Sequence, residues 1–237
     1  VKAELLYEGK AKKVYRKEGT MDQLVLAYKN DATAFNGKKK ASFSGKGRLN
    51  NAISAQIFPY LLENGVETHF IEKINETEQL VWQTEIIPLE VVVRNLAAGS
   101  ITKRLAIEVK TPFDPPVLEL FYKDDALNDP LINDQHAFVL CNVTEAELEE
   151  IKKTALKVNR VLSELFQSIN LKLVDFKLEF GRLASGCIVL ADEISPDTCR
   201  LWDLDTEEKM DKDVFREDIG DLLGVYNEIL RRLEDRS

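Results

Sequence analysis

Cysteine is scarce: the 237 residues hold three, Cys141, Cys187 and Cys199. An odd number without metal-ligand spacing argues against a disulfide framework and a thiolate zinc site, so the thiols read as reduced. Histidine is scarcer still, with His69 and His136 far apart in the chain, which argues against a histidine-built zinc centre. No Ser-His-Asp or Cys-His nucleophile set is in view, which favours positioning and electrostatic catalysis over covalent catalysis. No apolar run reaches membrane-spanning length, and no signal-peptide pattern precedes VKAELLYEGK. Repeats and low-complexity linkers are absent. Positive charge is in deficit, with 32 Lys and Arg against 41 Asp and Glu and a net charge of −9. That balance argues against nucleic acid or an anionic membrane as partner, while leaving room for a local cationic pocket. What remains is a soluble, cytoplasmic chain, long enough for one large core or two smaller ones.

The first part alternates short strand-like runs with turns, at 5–7, 13–16, 24–28, 68–71 and 80–83. One helix over about 48–64 interrupts them, stopped by Asn64-Gly65, with Pro59 predicting a kink or an early break. The stretch FNGKKKASFSGKG reads as a flexible loop whose lysines are solvated. A strand over 89–94 then runs through NLAAGS into a short helix beginning near Ser100. Thr144 and Glu147 form a capping box that opens a long helix with the apolar stripe Leu148, Ile151, Val158, Leu162, Leu165 and Ile169. A hairpin follows, with its turn at Ala184-Ser185-Gly186. Asp211 or Asp213 caps a final helix carrying Val214, Leu222, Leu223, Tyr226, Ile229, Leu230 and Leu233. Strands first and then helices around a second sheet predict an α+β fold of two lobes. The expected boundaries are 1–85, an antiparallel β lobe, and 86–237, a mixed α/β lobe.

Three stretches carry candidate chemistry. In VDFKLEFG (174–181), alternation puts Val174, Phe176, Leu178 and Phe180 on one face and Asp175, Lys177 and Glu179 on the other. The charged face is either an ordinary wet strand surface or one wall of a site. In EGKAKKVYR, Gly9 permits a tight turn with exposed N–H groups, and Lys10 and Lys12 supply cations; the spacing is not that of a Walker A sequence. In RNLAAGS, Arg94 ends an apolar strand and Ser100 opens a helix, an arrangement suited to an anion. Equally, Ser100 can simply cap its helix and Arg94 pair with a carboxylate such as Glu90. Asp192, past the second hairpin strand, would complete a two-carboxylate oxygen site with Glu179, suited to Mg²⁺ beside phosphate. Arg200 can meet a further anion. Together these pieces fit chemistry on a nucleoside triphosphate with a second phosphorylated ligand.

The chain closely resembles the phosphoribosylaminoimidazole-succinocarboxamide synthase (SAICAR synthetase) family. IPLEVVVRNLAAGS and LVDFKLEFG are similar to its two signatures, and YEGKAKKVY, GKGRLNN, DEISPDTCRLWD and EKMDKDVFR match its pattern in order. The resemblance implies a kinase- or ATP-grasp-like β lobe that binds nucleotide, 1–85, beside an α/β lobe that binds substrate and metal, 86–237. It also implies a ligase that joins L-aspartate to the carboxylate of carboxyaminoimidazole ribonucleotide (CAIR), with ATP and Mg²⁺, through an acyl phosphate. By resemblance, Lys10, Ala11 and Lys12 line the ATP phosphates, and 81–85 (Val81, Trp82 and Glu85 among them) passes the adenine. Lys123 reaches the nucleotide, and Glu179 and Asp192 hold Mg²⁺. Arg94, Ser100 and Arg200 grip the ribonucleotide phosphate, while Asp175 and Lys177 face the transferring group. Asp129 belongs to the substrate side, Lys212 to a mobile loop near aspartate, and a homodimer is expected. Two other readings use the same residues: a related kinase or ligase with another phosphorylated acceptor, and a non-catalytic nucleotide-binding module.

Overall fold

Residues 1–35 and 37–236 are described in the computed structural model; Asn36, in the segment expected as a loop, and Ser237 lie outside them. Strands β1 (Lys2–Glu8), β2 (Lys12–Lys17) and β3 (Gln23–Tyr28) follow one another as antiparallel neighbours. A small hairpin, β4 (Asp31–Ala34) and β5 (Lys39–Ser42), leads into helix α1 (Lys46–Glu63). Strands β6 (Phe70–Lys73) and β7 (Glu78–Trp82) return to β3 and complete a five-stranded sheet of order β1-β2-β3-β7-β6. The second sheet begins with β8 (Glu85–Leu96), then short helix α2 (Ser100–Leu105), β9 (Pro112–Tyr122) and β10 (Leu131–Ile132). Helices α3 (Asp134–Leu140) and α4 (Glu145–Ser168) precede β11 (Leu171–Arg182), β12 (Ile188–Ala191) and β13 (Cys199–Asp203). Its order is β10-β9-β8-β11-β12, with β13 also on β11, and every strand pair in the fold is antiparallel. Helices α5 (Asp213–Arg216) and α6 (Leu222–Glu234) close the described chain. The architecture is α+β, as expected.

The capping box forms as read: Thr144 Oγ1 accepts from the Glu147 N–H at 3.2 Å, and Glu147 accepts from the Thr144 N–H at 2.8 Å. Reciprocal bonds of this kind satisfy two of the four orphan donors at a helix start. The α4 stripe Leu148, Ile151, Val158, Leu162 and Leu165 is buried in the main core, together with Phe176, Leu178 and Phe180 of β11.

Four local expectations are corrected. The early break expected at Pro59 does not occur, since helix α1 runs on through it to Glu63. Part of the expected loop, Lys39–Ser42, is a strand paired with β4; Lys38 and Lys40 are exposed, but Lys39 pairs with Asp218 at 2.6 Å and donates to the Phe215 carbonyl at 2.5 Å. The final helix starts at Leu222 after Asp221, whereas Asp213 opens the separate one-turn helix α5. Finally, Val174 leaves the face assigned to it. A bulge between Leu173 and Asp175 against β13 inserts one residue. Leu171 and Leu173 therefore share the main core with Phe176, Leu178 and Phe180, while Val174 packs with Ala98 and Trp202 in a small second cluster.

The two sheets are joined by backbone. The His69 N–H donates to the Leu190 carbonyl at 2.8 Å and the Leu190 N–H to the Glu67 carbonyl at 2.9 Å, beside a parallel bridge of Thr68 with Leu190. Helix α1 approaches the end of β3 so closely that a Cβ on Gly47 would sit 2.7 Å from the Tyr28 carbonyl oxygen. Only glycine fits there.

Candidate active site

A cavity of about 600 Å³ lies where the β1–β2 turn and the β4–β5 hairpin face the second sheet. Strand β11 supplies its floor, because alternation beyond the bulge turns Asp175, Lys177 and Glu179 away from the core. The wet-surface alternative fails on burial: Asp175 and Glu179 are 4% and 3% exposed.

At one end the floor is a lysine-carboxylate lattice. Lys177 Nζ bonds Glu90 at 2.8 Å and Glu179 at 2.9 Å, and Lys123 pairs with the other Glu179 oxygen. Glu179 stands opposite Ala191, the last residue of β12, so Asp192 lies just past the end of that strand. Asp192 pairs with Lys12, which also reaches Glu193 at 3.2 Å. Burial opposes the charge on Lys12, but Asp192 and Glu193 outweigh it and hold its pKa well above the usual lysine value. Burial likewise opposes the charge on Asp192, and Lys12, Lys177 and Lys123 outweigh it and hold the carboxyl well below its usual range. Burial opposes the Lys177 charge too, and Glu179 and Glu90 keep it firmly protonated. Among the described residues, no three Asp, Glu, His or Cys side chains group to hold a metal by themselves. Glu179 and Asp192 fit the donor set Mg²⁺ uses when phosphate and water complete its shell.

At the other end runs a chain of arginines and aspartates. Asp175 Oδ2 accepts from Arg94 at 2.7 Å and from Arg200 at 3.0 Å. Asp213 accepts from Arg200 at 2.8 Å and from Arg216 at 2.7 Å. Arg94 is engaged through all three of its nitrogens, since it also bonds Glu119 at 2.8 Å and the Ala98 carbonyl and Ser100 Oγ at 3.3 Å each. Its carboxylate partners are thus Glu119 and Asp175, and Glu90 belongs to Lys177. Ser100 makes no capping hydrogen bond; the helix starts after Gly99, whose φ of 65° suits glycine. A Cβ on Gly99 would lie 2.6 Å from the Arg200 guanidinium, which therefore stacks on bare backbone.

Of the residues singled out from sequence, Lys10, Ala11, Lys12, Val81, Trp82, Arg94, Lys123, Asp129, Asp175, Lys177, Glu179, Asp192, Arg200 and Lys212 line this one cavity. Ser100 and Glu85 do not. Ser100 acts behind the wall, on Arg94 and Arg104, and Glu85 points away beside Arg182, while its neighbours Thr84 and Ile86 line the cavity. Sequence reading missed His69, Glu193, Asp197 and Arg216 as lining residues. Asp197 stood in the SPD turn; its role depends on Lys46, Asn50 and Tyr226, which are remote in sequence and bond it at 2.5, 3.1 and 2.5 Å.

His69 is 5% exposed, and its Nε2 has no hydrogen-bond partner among the described residues. Burial, assisted by Lys12, lowers its pKa to about 3. A neutral folded-state histidine that titrates near 6.5 when unfolded contributes stability above pH 6.5, and that stability is lost as pH falls toward 3. His69→Phe, whose ring can stay against Phe58, is therefore expected to flatten the stability-pH curve between pH 6 and 4. The wild-type slope there exceeds the variant's by up to about 1.4 kcal/mol per pH unit. Urea midpoints across that range measure it, and parallel curves would refute it.

A lysine-carboxylate floor beside a chain of arginines, in an α+β fold, suits an enzyme that works on phosphate groups, and the relatives below make the class an ATP-dependent ligase. The chain belongs to the SAICAR synthetase family, whose model matches residues 5–233. It is 66% identical over 234 residues to the phosphoribosylaminoimidazole-succinocarboxamide synthase of Oceanobacillus iheyensis, covering 99% of each chain. The crystal structure of the synthase of that name from Ehrlichia chaffeensis superposes with a TM-score of 0.95 at 46% identity, over 98% of both chains. A SAICAR synthetase in complex with ADP superposes with a TM-score of 0.93 at 48% identity, again over 98% of both.

Proposed function

We propose that this chain joins L-aspartate to the carboxylate of CAIR, converting ATP to ADP and phosphate and releasing the succinocarboxamide. The observation that carries the reading is the position of Lys177, on one floor between a two-carboxylate end and an arginine end. The ribonucleotide carboxylate attacks the γ-phosphorus of ATP, and the bond to ADP breaks. The aspartate amine then attacks the acyl carbon, loses a proton and expels phosphate. Phosphate is a competent leaving group where a carboxylate oxygen is not, which is why the reaction uses ATP.

Lys10, Lys12 and the Ala11 backbone face the ATP phosphates, Val81 and Trp82 with the strand through Glu85 face the adenine, and Lys123 reaches the nucleotide. Arg200 takes the ribonucleotide phosphate, with Arg94 and Ser100 behind it. Asp175 orients both arginines, and Asp129 and Lys212 lie on the substrate side. Lys177 offsets the negative charge that develops on the transferring group. Glu179 and Asp192 would hold Mg²⁺, which supplies charge neutralisation between nucleotide oxygens and carboxylate. At the lattice end, the cations Lys12, Lys123 and Lys177 face the carboxylates Glu90, Glu179, Asp192 and Glu193, so that end of the cavity carries one negative charge in excess. A divalent cation held there would offset that charge and allow phosphate to approach.

In the same reading the lobes divide at 85/86, which agrees with one sheet ending at Trp82 and the other starting at Glu85. Edge strand β1, with Leu5 and Leu6 at 47% and 40% exposure, supports a homodimer. Three free thiols and the lack of any helix long and apolar enough to cross a membrane, among the described residues, support a cytoplasmic setting.

The test is ADP release with Mg²⁺-ATP and CAIR, with and without L-aspartate, and the product identified by mass. Release that requires both acceptors establishes the ligase. Release with another phosphorylated acceptor overturns the substrate, and tight ATP binding without release makes the chain a non-catalytic module.

A further inference from the structure

Lys12 meets two carboxylates, and the two are unlike. Its Nζ pairs with Asp192 and donates to Glu193 Oε1 at 3.2 Å. Among the described residues, Lys12 is the one side chain bonded to the Asp192 carboxylate, which stands just past β12 and is 22% exposed. The Glu193 side chain is 4% exposed, and both of its oxygens are used. Its Oε2 accepts from Ser195 Oγ at 2.8 Å, and Ser195 Oγ in turn accepts the Asp197 N–H at 3.1 Å. The turn that carries Glu193 is held on two further sides. The Ser195 N–H donates to Thr198 Oγ1 at 3.1 Å, and Ser54 Oγ of α1 donates to the Ile194 carbonyl at 3.0 Å. Glu193 is therefore a fixed anchor, and Asp192 a partner that can be exchanged.

Charge forces the exchange. Asp192 is one of the two floor carboxylates suited to Mg²⁺, and Lys12 faces the ATP phosphates; in the structure these two groups neutralise each other. A carboxylate that gives its oxygens to Mg²⁺ no longer holds an ammonium, and a dication a few ångströms away repels one. A lysine without a second acceptor can swing out along its flexible four-carbon stem. Glu193 is placed to prevent this. It already accepts from Lys12, it is too firmly set to move aside, and one bond to it leaves two ammonium protons for phosphate. The Tyr28 ring, its centroid 5.5 Å from Nζ, adds an attractive face to the same position.

We propose that Glu193 is a positioning residue for Lys12. It takes the lysine over from Asp192 when Asp192 turns to the metal, and so keeps the ammonium on the ATP phosphates. This rests on the nucleotide and metal reading above, and it is independent of which acceptor the enzyme uses.

The test is a double-mutant cycle read by calorimetry. Wild type, Glu193→Gln, Lys12→Gln and the double variant are titrated with a non-hydrolysable ATP analogue at saturating Mg²⁺, without CAIR or L-aspartate. Gln at 193 still accepts from Ser195, and Gln at 12 still donates to the carboxylates left beside it. With Lys12 present, Glu193→Gln weakens the analogue on the order of 10-fold, the lower end of what one charge-assisted hydrogen bond supplies. In the Lys12→Gln background the same change costs less than about twofold. Adenosine, which has no phosphate for Lys12 to meet, binds Glu193→Gln as it binds wild type. An equal loss in both backgrounds means that Glu193 acts on the metal or on the fold, and overturns the proposal. So does unchanged analogue binding to Glu193→Gln, or an equal loss for adenosine. Should either Gln variant fail to fold, Ser195→Ala decides. It frees one Glu193 oxygen and weakens the analogue about threefold with adenosine unaffected; no change, or the same change for both ligands, overturns the proposal. A wild-type protein that does not bind the analogue defeats the nucleotide reading itself, and the role of Glu193 with it.

Discussion

Glu179→Gln lowers kcat on the order of a thousandfold, while the folded protein survives. The argument is electrostatic. Glu179 is almost wholly buried on the floor strand, and its two oxygens receive Lys123 and Lys177 separately. Gln keeps the shape but removes one of only two carboxylates suited to Mg²⁺, and it leaves a single oxygen where two are used. It also loosens Lys177, the cation assigned to the transferring group. ADP release measured across a Mg²⁺ titration reads this directly, with thermal melting as the check on folding. Turnover within about threefold of wild type at ordinary Mg²⁺ would sink the metal assignment.

Lys46→Met produces the largest loss of stability, about 3–5 kcal/mol, the range for removing one partner of a buried ion pair. Lys46 has no solvent exposure, and it bonds Asp197 at 2.5 Å. Met fills most of the volume, so the loss is that of a stranded carboxylate and not of a cavity. Asn50 and Tyr226 remain on Asp197, which limits the effect. For a chain of this size the melting temperature falls by roughly 6–20 °C. Urea unfolding measures the free energy, and a loss under about 1 kcal/mol would show that Asp197 is held well enough without the lysine.

Local signals made most of the fold legible. The Thr144–Glu147 box and the α4 stripe are written in neighbouring residues, and both form as read. The β11 face was legible from alternation between Asp175 and Phe180, because one register governs that half. It failed at Val174, where the extra residue is set by pairing with β13, about thirty positions on, and leaves no local mark. The 39–42 strand was hidden by its lysines, which resemble a solvated run until Phe215 and Asp218 are brought to Lys39. The site was legible where a motif concentrates it, as at Lys10 and Lys12, or Lys177 and Glu179. Lys46, Asp197, His69 and Arg216 are scattered singly through the chain, and only the tertiary fold gives them a common address.

The extra residue at Val174 makes β11 sensitive to counting as well as to chemistry. Read from its start, the strand buries odd-numbered positions; beyond Val174 it buries even ones, and both halves feed the same core. The strand behaves like a text with a deliberate frameshift. Exchanging one letter there alters one contact, whereas pairing the same residues without the bulge imposes a single frame. The chain would then have to bury either Leu171 and Leu173 or Phe176, Leu178 and Phe180, but not both sets, with Lys177 and Glu179 carried to the wrong side in the first case. The bulge is therefore under tighter constraint than residue identity at most positions of this strand.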